Sequence, residues 1–393
     1  IVLGVTGSIA SYKAVDLASK LVQAKAQVDV VLTPAASQFI NPLTFRSITH
    51  RPVTTNAFDD NSELSIQHVA LSERAQAIII APATADFIAK LAHGLADDAL
   101  SMTVLATNAP ILIAPAMDAH MWENSASQAN VELLKQRGFI FVGPEPGRLA
   151  SGLTGLGRLS EPQKLLGHIN ALLGHEYGDL NGKHIVVSAG GTQEPVDPVR
   201  VLTNRSSGKM GYAIAEAARD RGAKVTLVSA SNLPDPAAVD VKKVQTVAEM
   251  RNAVLNACAN ATVVIMAAAV SDFRPAEIAS QKVKKSNDLE ELELKLIKNA
   301  DFFLEIPDGV LRVGFAAETE DLIANAKLKI RDKGLALIAA NDVTEPGSGF
   351  NTDTNQVTLI DYTGNVEELP LMTKYEVGQN ILDRVASLLE KNG

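Results

Sequence analysis

The chain has 393 residues, of which 46% are hydrophobic and 21% charged, so it is neither disordered nor collagen-like. With 36 basic against 45 acidic side chains the net charge is -9, which argues against non-specific nucleic-acid binding. A single cysteine, Cys258, excludes a disulfide framework and a multi-cysteine metal cluster, and fits a reducing, cytoplasmic setting.

At roughly 100–200 residues per domain the length predicts two domains. No apolar run reaches the ~20 residues of a bilayer span, so no membrane partner is expected. The opening Ile1-Val2-Leu3-Gly4 carries neither a basic segment nor a cleavage site, which reads as no signal peptide. It also lacks Met, so part of a first strand is expected to be missing.

Short β-branched runs at 1–5, 26–32, 77–80, 110–114 and 138–142 read as strands, with helical stretches such as 12–23 and 85–91 between them. A second cycle opens at 183–188 and continues through 224–229, 262–268, 311–315, 336–340 and 356–361. This alternation predicts α/β architecture, a mostly parallel sheet with helices on both faces, occurring twice. The polar, glycine-bearing stretch 173–182 reads as a linker and places the boundary near 178, giving domains 1–178 and 179–393.

In the first half, the opening strand runs into Gly4-Val5-Thr6-Gly7-Ser8-Ile9-Ala10 before a helix. Backbone N–H groups at such a start attract phosphate, although the spacing is neither G-x-G-x-x-G nor a Walker loop. Three further strands end in Thr33-Pro34-Ala35-Ala36-Ser37, Pro82-Ala83-Thr84-Ala85-Asp86 and Pro115-Ala116-Met117-Asp118-Ala119-His120-Met121-Trp122. Small, polar, proline-marked loops thus converge on the carboxyl edge, where open α/β sheets bind ligands.

Together with the His68 segment, these motifs resemble the flavin-dependent cysteine decarboxylases in order and spacing. The resemblance implies a flavodoxin-like, doubly wound, three-layer domain that binds FMN through Gly7, Ser8, Ile9, Thr33, Thr84, Ala85 and Met117. His68 matches the family's catalytic histidine, a base towards the substrate; His93 and His120 have weaker claims. FMN would oxidise a cysteine thiol to a thioaldehyde, so that the neighbouring carboxylate can leave as CO2. Asp118 stands where many members carry Asn, and an ionised Asp would repel a substrate carboxylate unless protonated or turned to another group. Ser151, in Gly147-Arg148-Leu149-Ala150-Ser151-Gly152, occupies the place of a proton-donating cysteine. That leaves the donor of the reductive step unassigned, because Cys258 lies in the other half.

The second half carries Ser188-Ala189-Gly190-Gly191-Thr192, Asp197-Pro198-Val199-Arg200 and Asn204-Arg205-Ser206-Ser207-Gly208-Lys209-Met210-Gly211 ahead of a helix at 212–221. Ser, Gly and Lys at a helix start suit an anion, or simply cap the helix. Basic clusters follow at Lys282, Lys284 and Lys285, and at Lys327, Lys329, Arg331 and Lys333. They are either a solvated face or a triphosphate site.

With Ala268-Ala269-Val270-Ser271-Asp272 and Phe315-Ala316-Ala317-Glu318-Thr319, this half resembles the phosphopantothenate–cysteine ligases, which in bacteria use CTP. The resemblance implies a Rossmann-like, doubly wound ligase domain. Asn204 would hold the 4′-phosphopantothenate carboxylate and its cytidylate. Ala267, Ala268, Asp272, Lys282, Ala300, Asp301, Phe302, Phe303, Phe315, Lys329 and Lys333 would contact CTP. Lysines and Mg2+ would offset the triphosphate's charge, with the protein ligands of the metal unknown.

The whole chain thus resembles the bifunctional synthetase/decarboxylases of coenzyme A biosynthesis. The second half would join 4′-phosphopantothenate to L-cysteine, and the first would decarboxylate the product to 4′-phosphopantetheine. Two alternatives stand beside this: an active ligase fused to a flavoprotein half impaired in the reductive step, and a flavin- or nucleotide-binding regulatory subunit. The family's assembly, a dodecamer of decarboxylase trimers and ligase dimers, implies a homo-oligomer.

Overall fold

The computed structural model describes residues 1–57, 67–284, 293–318, 322–342, 349 and 351–392. Lys285 and Thr319 of the motifs above lie outside them. The chain divides into two compact units, Ile1–Leu173 and Gly174–Gly393.

In the first unit six strands lie in the order Val53–Thr54, Asp29–Leu32, Val2–Val5, Ile78–Ala83, Ile111–Pro115 and Ile140–Phe141. Every pairing is parallel. Without the edge strand Val53–Thr54 the order is 2-1-3-4-5, that of flavodoxin-like sheets. Alternate side chains enter two cores. Leu3, Val5, Val30 and Ile79 pack with the helices Ser11–Gln23 and Pro162–Tyr177. Val2, Val31, Ile78 and Ile80 pack with Ala85–His93 and Ala99–Ala106. Burial on both faces is why these strands read as unbroken apolar runs. An antiparallel hairpin, Glu145–Arg148 with Thr154–Arg158, stands outside the sheet and carries Ser151 in its loop.

In the second unit the sheet runs Asp240–Lys243, Lys224–Ala230, His184–Gly190, Val263–Met266, Leu311–Glu318, Leu337–Asp342, Thr358–Asp361 and Val366–Glu368. The first six are parallel in the 3-2-1-4-5-6 order of dinucleotide-binding sheets, and the last two add antiparallel. One face is covered by Lys209–Asp220 and Lys374–Asn392, the other by Val247–Cys258 and Leu322–Lys333.

The expected strands are present with shifted ends, and the sequence reading missed the edge strands Val53–Thr54, Asp240–Lys243 and Val366–Glu368. Those are short and partly exposed, so they lack the apolar run that marks a buried strand. The stretch 173–182 is not wholly a linker either, because Pro162–Tyr177 extends into it. Leu165, Ile169 and Leu172 form its buried stripe. Gly174 and Gly178 then permit backbone contact at the helix end: a Cβ would lie 2.6 Å from the Asp220 oxygen and 2.2 Å from that of Arg221.

Candidate functional site

In the first unit the adjacent strands Asp29–Leu32, Val2–Val5, Ile78–Ala83 and Ile111–Pro115 deliver Thr33, then Gly7, Ser8 and Ile9, then Thr84 and Ala85, then Met117 to one sheet edge. Close hydrogen bonds fix the loops. Thr6 Oγ1 donates to the Pro82 oxygen (2.8 Å) and accepts from the Thr84 N–H (3.0 Å). Thr84 Oγ1 accepts from Phe87 N–H (3.4 Å), capping the helix Ala85–His93. Thr33 Oγ1 accepts from Ala36 N–H (3.2 Å), and Ser8 Oγ from Ala10 N–H (3.2 Å). Gly7 is required by proximity, since a Cβ there would lie 2.5 Å from Ala35 Cβ. Ile9 is exposed, and the half-buried Met117 donates its N–H to the Gly157 oxygen (3.0 Å).

His68 lies in the first turn of Gln67–Arg74, the helix that leads back to the start of Ile78–Ala83, so it stands at the same edge. Its Nδ1 is the buried side-chain polar atom that finds no hydrogen-bond partner among the described residues. A buried polar atom of this kind costs free energy unless a ligand satisfies it.

Asp118 begins the helix Ala119–Glu123, and its Oδ1 accepts from His120 N–H (3.1 Å). Its Oδ2 accepts from Ser151 Oγ (2.6 Å). The Ser151 hydroxyl foremost, then the His120 N–H, hold this carboxyl below the usual aspartate range. Asp118 is therefore ionised at neutral pH and turned to another group, and the two residues that depart from the decarboxylase pattern are partners. His93 ends its helix, and the His120 side chain is exposed.

In the second unit a cavity of about 510 Å³ opens at the carboxyl edge of the sheet. Ala267, Ala268 and Asp272 line it from the loop after Val263–Met266. Ala300, Asp301, Phe302 and Phe303 add a second wall, Phe315 comes from Leu311–Glu318, and Lys329 and Lys333 from the helix Leu322–Lys333. Lys333 Nζ lies 2.9 Å from Asp301 Oδ2 and 5.6 Å from the Phe303 ring centre. Burial pushes the Asp301 carboxyl up, but Lys333 and the Phe303 N–H together hold it below the ordinary value. The strand-end loops interlock: Ala268 N–H donates to Ser188 Oγ (3.1 Å) and Ser271 N–H to Thr192 Oγ1 (2.9 Å).

Asn204 stands beside this cavity without lining it, its Nδ2 donating to the oxygens of Ala269 (3.2 Å) and Val270 (3.3 Å). Lys282 is exposed and does not line it either. Its neighbour Val283 is strapped at both backbone groups, donating to Asp197 Oδ2 (3.2 Å) and accepting from Arg200 Nη2 (3.1 Å). Burial pushes the Asp197 carboxyl up, yet the N–H groups of Val199, Val283 and Arg200 bring it below the usual range. The sequence reading missed Asn341, Asn355 and Lys374, all of which line the cavity. Lys374 is 5% exposed and begins the last helix, with no local motif to mark it. Cys258 is buried and its thiol is pushed up to about 11 by desolvation, so it is no nucleophile.

Two doubly wound units, one gathering strand-end loops at its sheet edge and the other holding a lysine-lined cavity there, define a two-domain α/β protein of the kind that binds ligands at the carboxyl ends of its strands. Residues 1–174 match the family model described as "Flavoprotein", and 180–389 that described as "DNA/pantothenate metabolism flavoprotein C-terminal domain". The chain is 43% identical over 404 residues to the coenzyme A biosynthesis bifunctional protein CoaBC of Bacillus subtilis (strain 168), covering 100% of this chain and 98% of that one. It is 41% identical to the Escherichia coli (strain K12) protein of the same name, with the same coverage. The chain belongs to the family of bifunctional coenzyme A biosynthesis proteins. Among solved structures it resembles the C-terminal domain of a CoaBC protein (39% identity, 55% of this chain, 99% of that chain, TM-score 0.47). It also resembles the FMN-dependent cysteine decarboxylase SpaF (34% identity, 40% of this chain, 87% of that chain, TM-score 0.36).

Proposed function

We propose that the second unit condenses 4′-phosphopantothenate with L-cysteine using CTP, and that the first unit decarboxylates the product to 4′-phosphopantetheine with FMN. The observation that carries the reading is the cavity of the second unit, where every nucleotide candidate except Lys282 lines one space.

The first unit's residues fit FMN. The helix starts after Ser8 and at Thr84 present backbone donors to a phosphate, Gly7 lets two loops close on each other, and His68 Nδ1 awaits a partner. FMN, when bound, supplies the two-electron exchange that makes loss of CO2 from a cysteine carboxylate possible. His68 takes the substrate's proton at Nδ1 or holds it there. Asp118, ionised and paired with Ser151, does not grip the substrate carboxylate itself, and Ser151 relays a proton through its hydroxyl.

In the second unit the carboxylate attacks the α-phosphate of CTP, the bond to pyrophosphate breaks, and an acyl-cytidylate forms. The cysteine amine then displaces CMP to give the amide. Asn204 orients the carboxylate beside the loop 267–272, while Lys329 and Lys333 face the nucleotide. Mg2+, bound with the nucleotide, would offset part of the triphosphate's charge. Exposed apolar residues in and near the strand-end loops, Ile9, Tyr12 and Phe39, support assembly into a homo-oligomer.

Coupled assays of CTP-dependent amide formation and of CO2 release test both halves at once. Both products are expected; amide without CO2, or neither, overturns the reading. Asn204→Ala is expected to bind CTP yet form little acyl-cytidylate, and normal single-turnover CMP release would contradict its role.

A further inference from the structure

The cavity of the second unit spans the top of the sheet, and its two ends rest on opposite faces. Lys329, Lys333, Phe302 and Phe303 belong to the side covered by Leu322–Lys333. The other end is built on the face covered by Lys209–Asp220 and Lys374–Asn392. There the first residue of each helix, Lys209 and Lys374, lines the cavity beside Ser206, Ser207 and Asn355.

Lys374 is the more buried lysine, at 5% exposure. Its Nζ donates to the oxygens of Gly349 (2.9 Å) and Thr352 (2.6 Å). Lys209 Nζ donates to the oxygen of Asn351 (3.0 Å) and pairs with Asp353 Oδ1 (2.6 Å), a carboxylate that is 88% exposed. Burial pushes the Lys374 ammonium down to about 8, and repulsion from Lys209 outweighs attraction to Asp353. A desolvated cation in a cavity wall, with a second cation beside it, gains most from an added anion.

We propose that Lys374, backed by Lys209, forms an oxyanion subsite of this cavity that holds an anionic group of the acyl substrate, apart from Lys329 and Lys333 at the other end. The assignment rests on the ligase reading of this unit. The nucleotide candidates Lys329, Lys333, Phe302 and Phe303 occupy the far end, and the ligase reaction has one other polyanionic reactant, 4′-phosphopantothenate, which carries a carboxylate at one end and a phosphate monoester at the other. Lys374 acts as a positioning and binding residue and transfers no group.

The test uses the full chain with Lys374→Gln, Lys374→Arg and Lys209→Gln, measuring kcat and, separately, KM for the acyl substrate and KM for CTP. Lys374→Gln is expected to raise KM for the acyl substrate at least tenfold and to leave that for CTP within twofold. Lys374→Arg is expected to restore most of the loss, and Lys209→Gln to shift the same constant by a smaller factor. Pantothenate, used as a competitive inhibitor, separates the two groups. If its inhibition is unchanged in Lys374→Gln the group held is the phosphate, and if it weakens in parallel the group is the carboxylate. An unchanged KM for the acyl substrate, or a raised KM for CTP alone, overturns the proposal. Equal loss in Lys374→Gln and Lys374→Arg with a fall in Tm reduces Lys374 to a strut for residues 349–352, and Lys209→Gln then decides the subsite alone. A wild-type chain that forms no CTP-dependent amide would instead overturn the ligase reading.

Discussion

His68 carries the clearest residue-level signal, because a buried ring nitrogen without a partner among the described residues is destabilising until a ligand satisfies it. His68→Gln is expected to keep flavin absorbance while CO2 release falls by about 10²–10⁴-fold, the usual contribution of a proton-transferring group. Loss of bound flavin would instead make His68 a cofactor contact. Asp118 and Ser151 belong to one hydrogen bond, so their effects are coupled. Removing the hydroxyl in Ser151→Ala is expected to raise the Asp118 pKa towards its ordinary 3.8, read by carboxyl chemical shift against pH. Because the folded value lies below the unfolded one, the Asp118 contribution to stability is present above pH 3.8 and is lost as pH falls through the folded value. Ser151→Ala narrows that window, and an unmoved titration would show that Ser151 does not hold the carboxylate.

At the scale of elements, the helix Lys209–Asp220 depends on a close approach to the strand His184–Gly190. Gly211 makes it possible: a Cβ there would lie 2.6 Å from Ala189 Cβ and 2.7 Å from the Ser188 oxygen. Both obstacles are buried and one is backbone, so neither can yield cheaply. Gly211→Ala is expected to destabilise the second unit by about 1–3 kcal/mol, the usual cost of overpacking, measured by denaturant unfolding. A variant as stable as wild type would mean that the helix can slide on the sheet. The same approach sets Gly208, with φ 85°, and Lys209 at the cavity's edge, so packing and site geometry are one constraint here.

For the whole molecule, each unit has its own pair of cores, and among the described residues no cluster mixes the two. Calorimetry is therefore expected to show FMN raising one transition and CTP another, each by mass action on the unit that binds it. Equal shifts of a single transition by both ligands would mean that the units unfold together. This partition also bears on what was legible beforehand. The repeated strand–helix alternation announced two α/β units, because buried parallel strands must be apolar on both faces. Short edge strands such as Asp240–Lys243, polar and half-exposed, left no such mark.

Taken alone, the sequence determined the architecture, the family resemblance and the loops that meet at each sheet edge, since local propensity and apolar patterning are properties of contiguous residues. The resemblance to the ligase family likewise marked the nucleotide candidates, ten of which the fold gathers around one cavity. Only the tertiary structure decided which distant side chains become partners. It joined Ser151 to Asp118 across 33 residues and left His68 Nδ1 unsatisfied among the described residues. It also brought Lys374 beside Lys209 in a cavity wall. Desolvation and pairing depend on what surrounds an atom in space, and for Lys374 those surroundings come from loops and helices that its neighbours in the chain do not reveal.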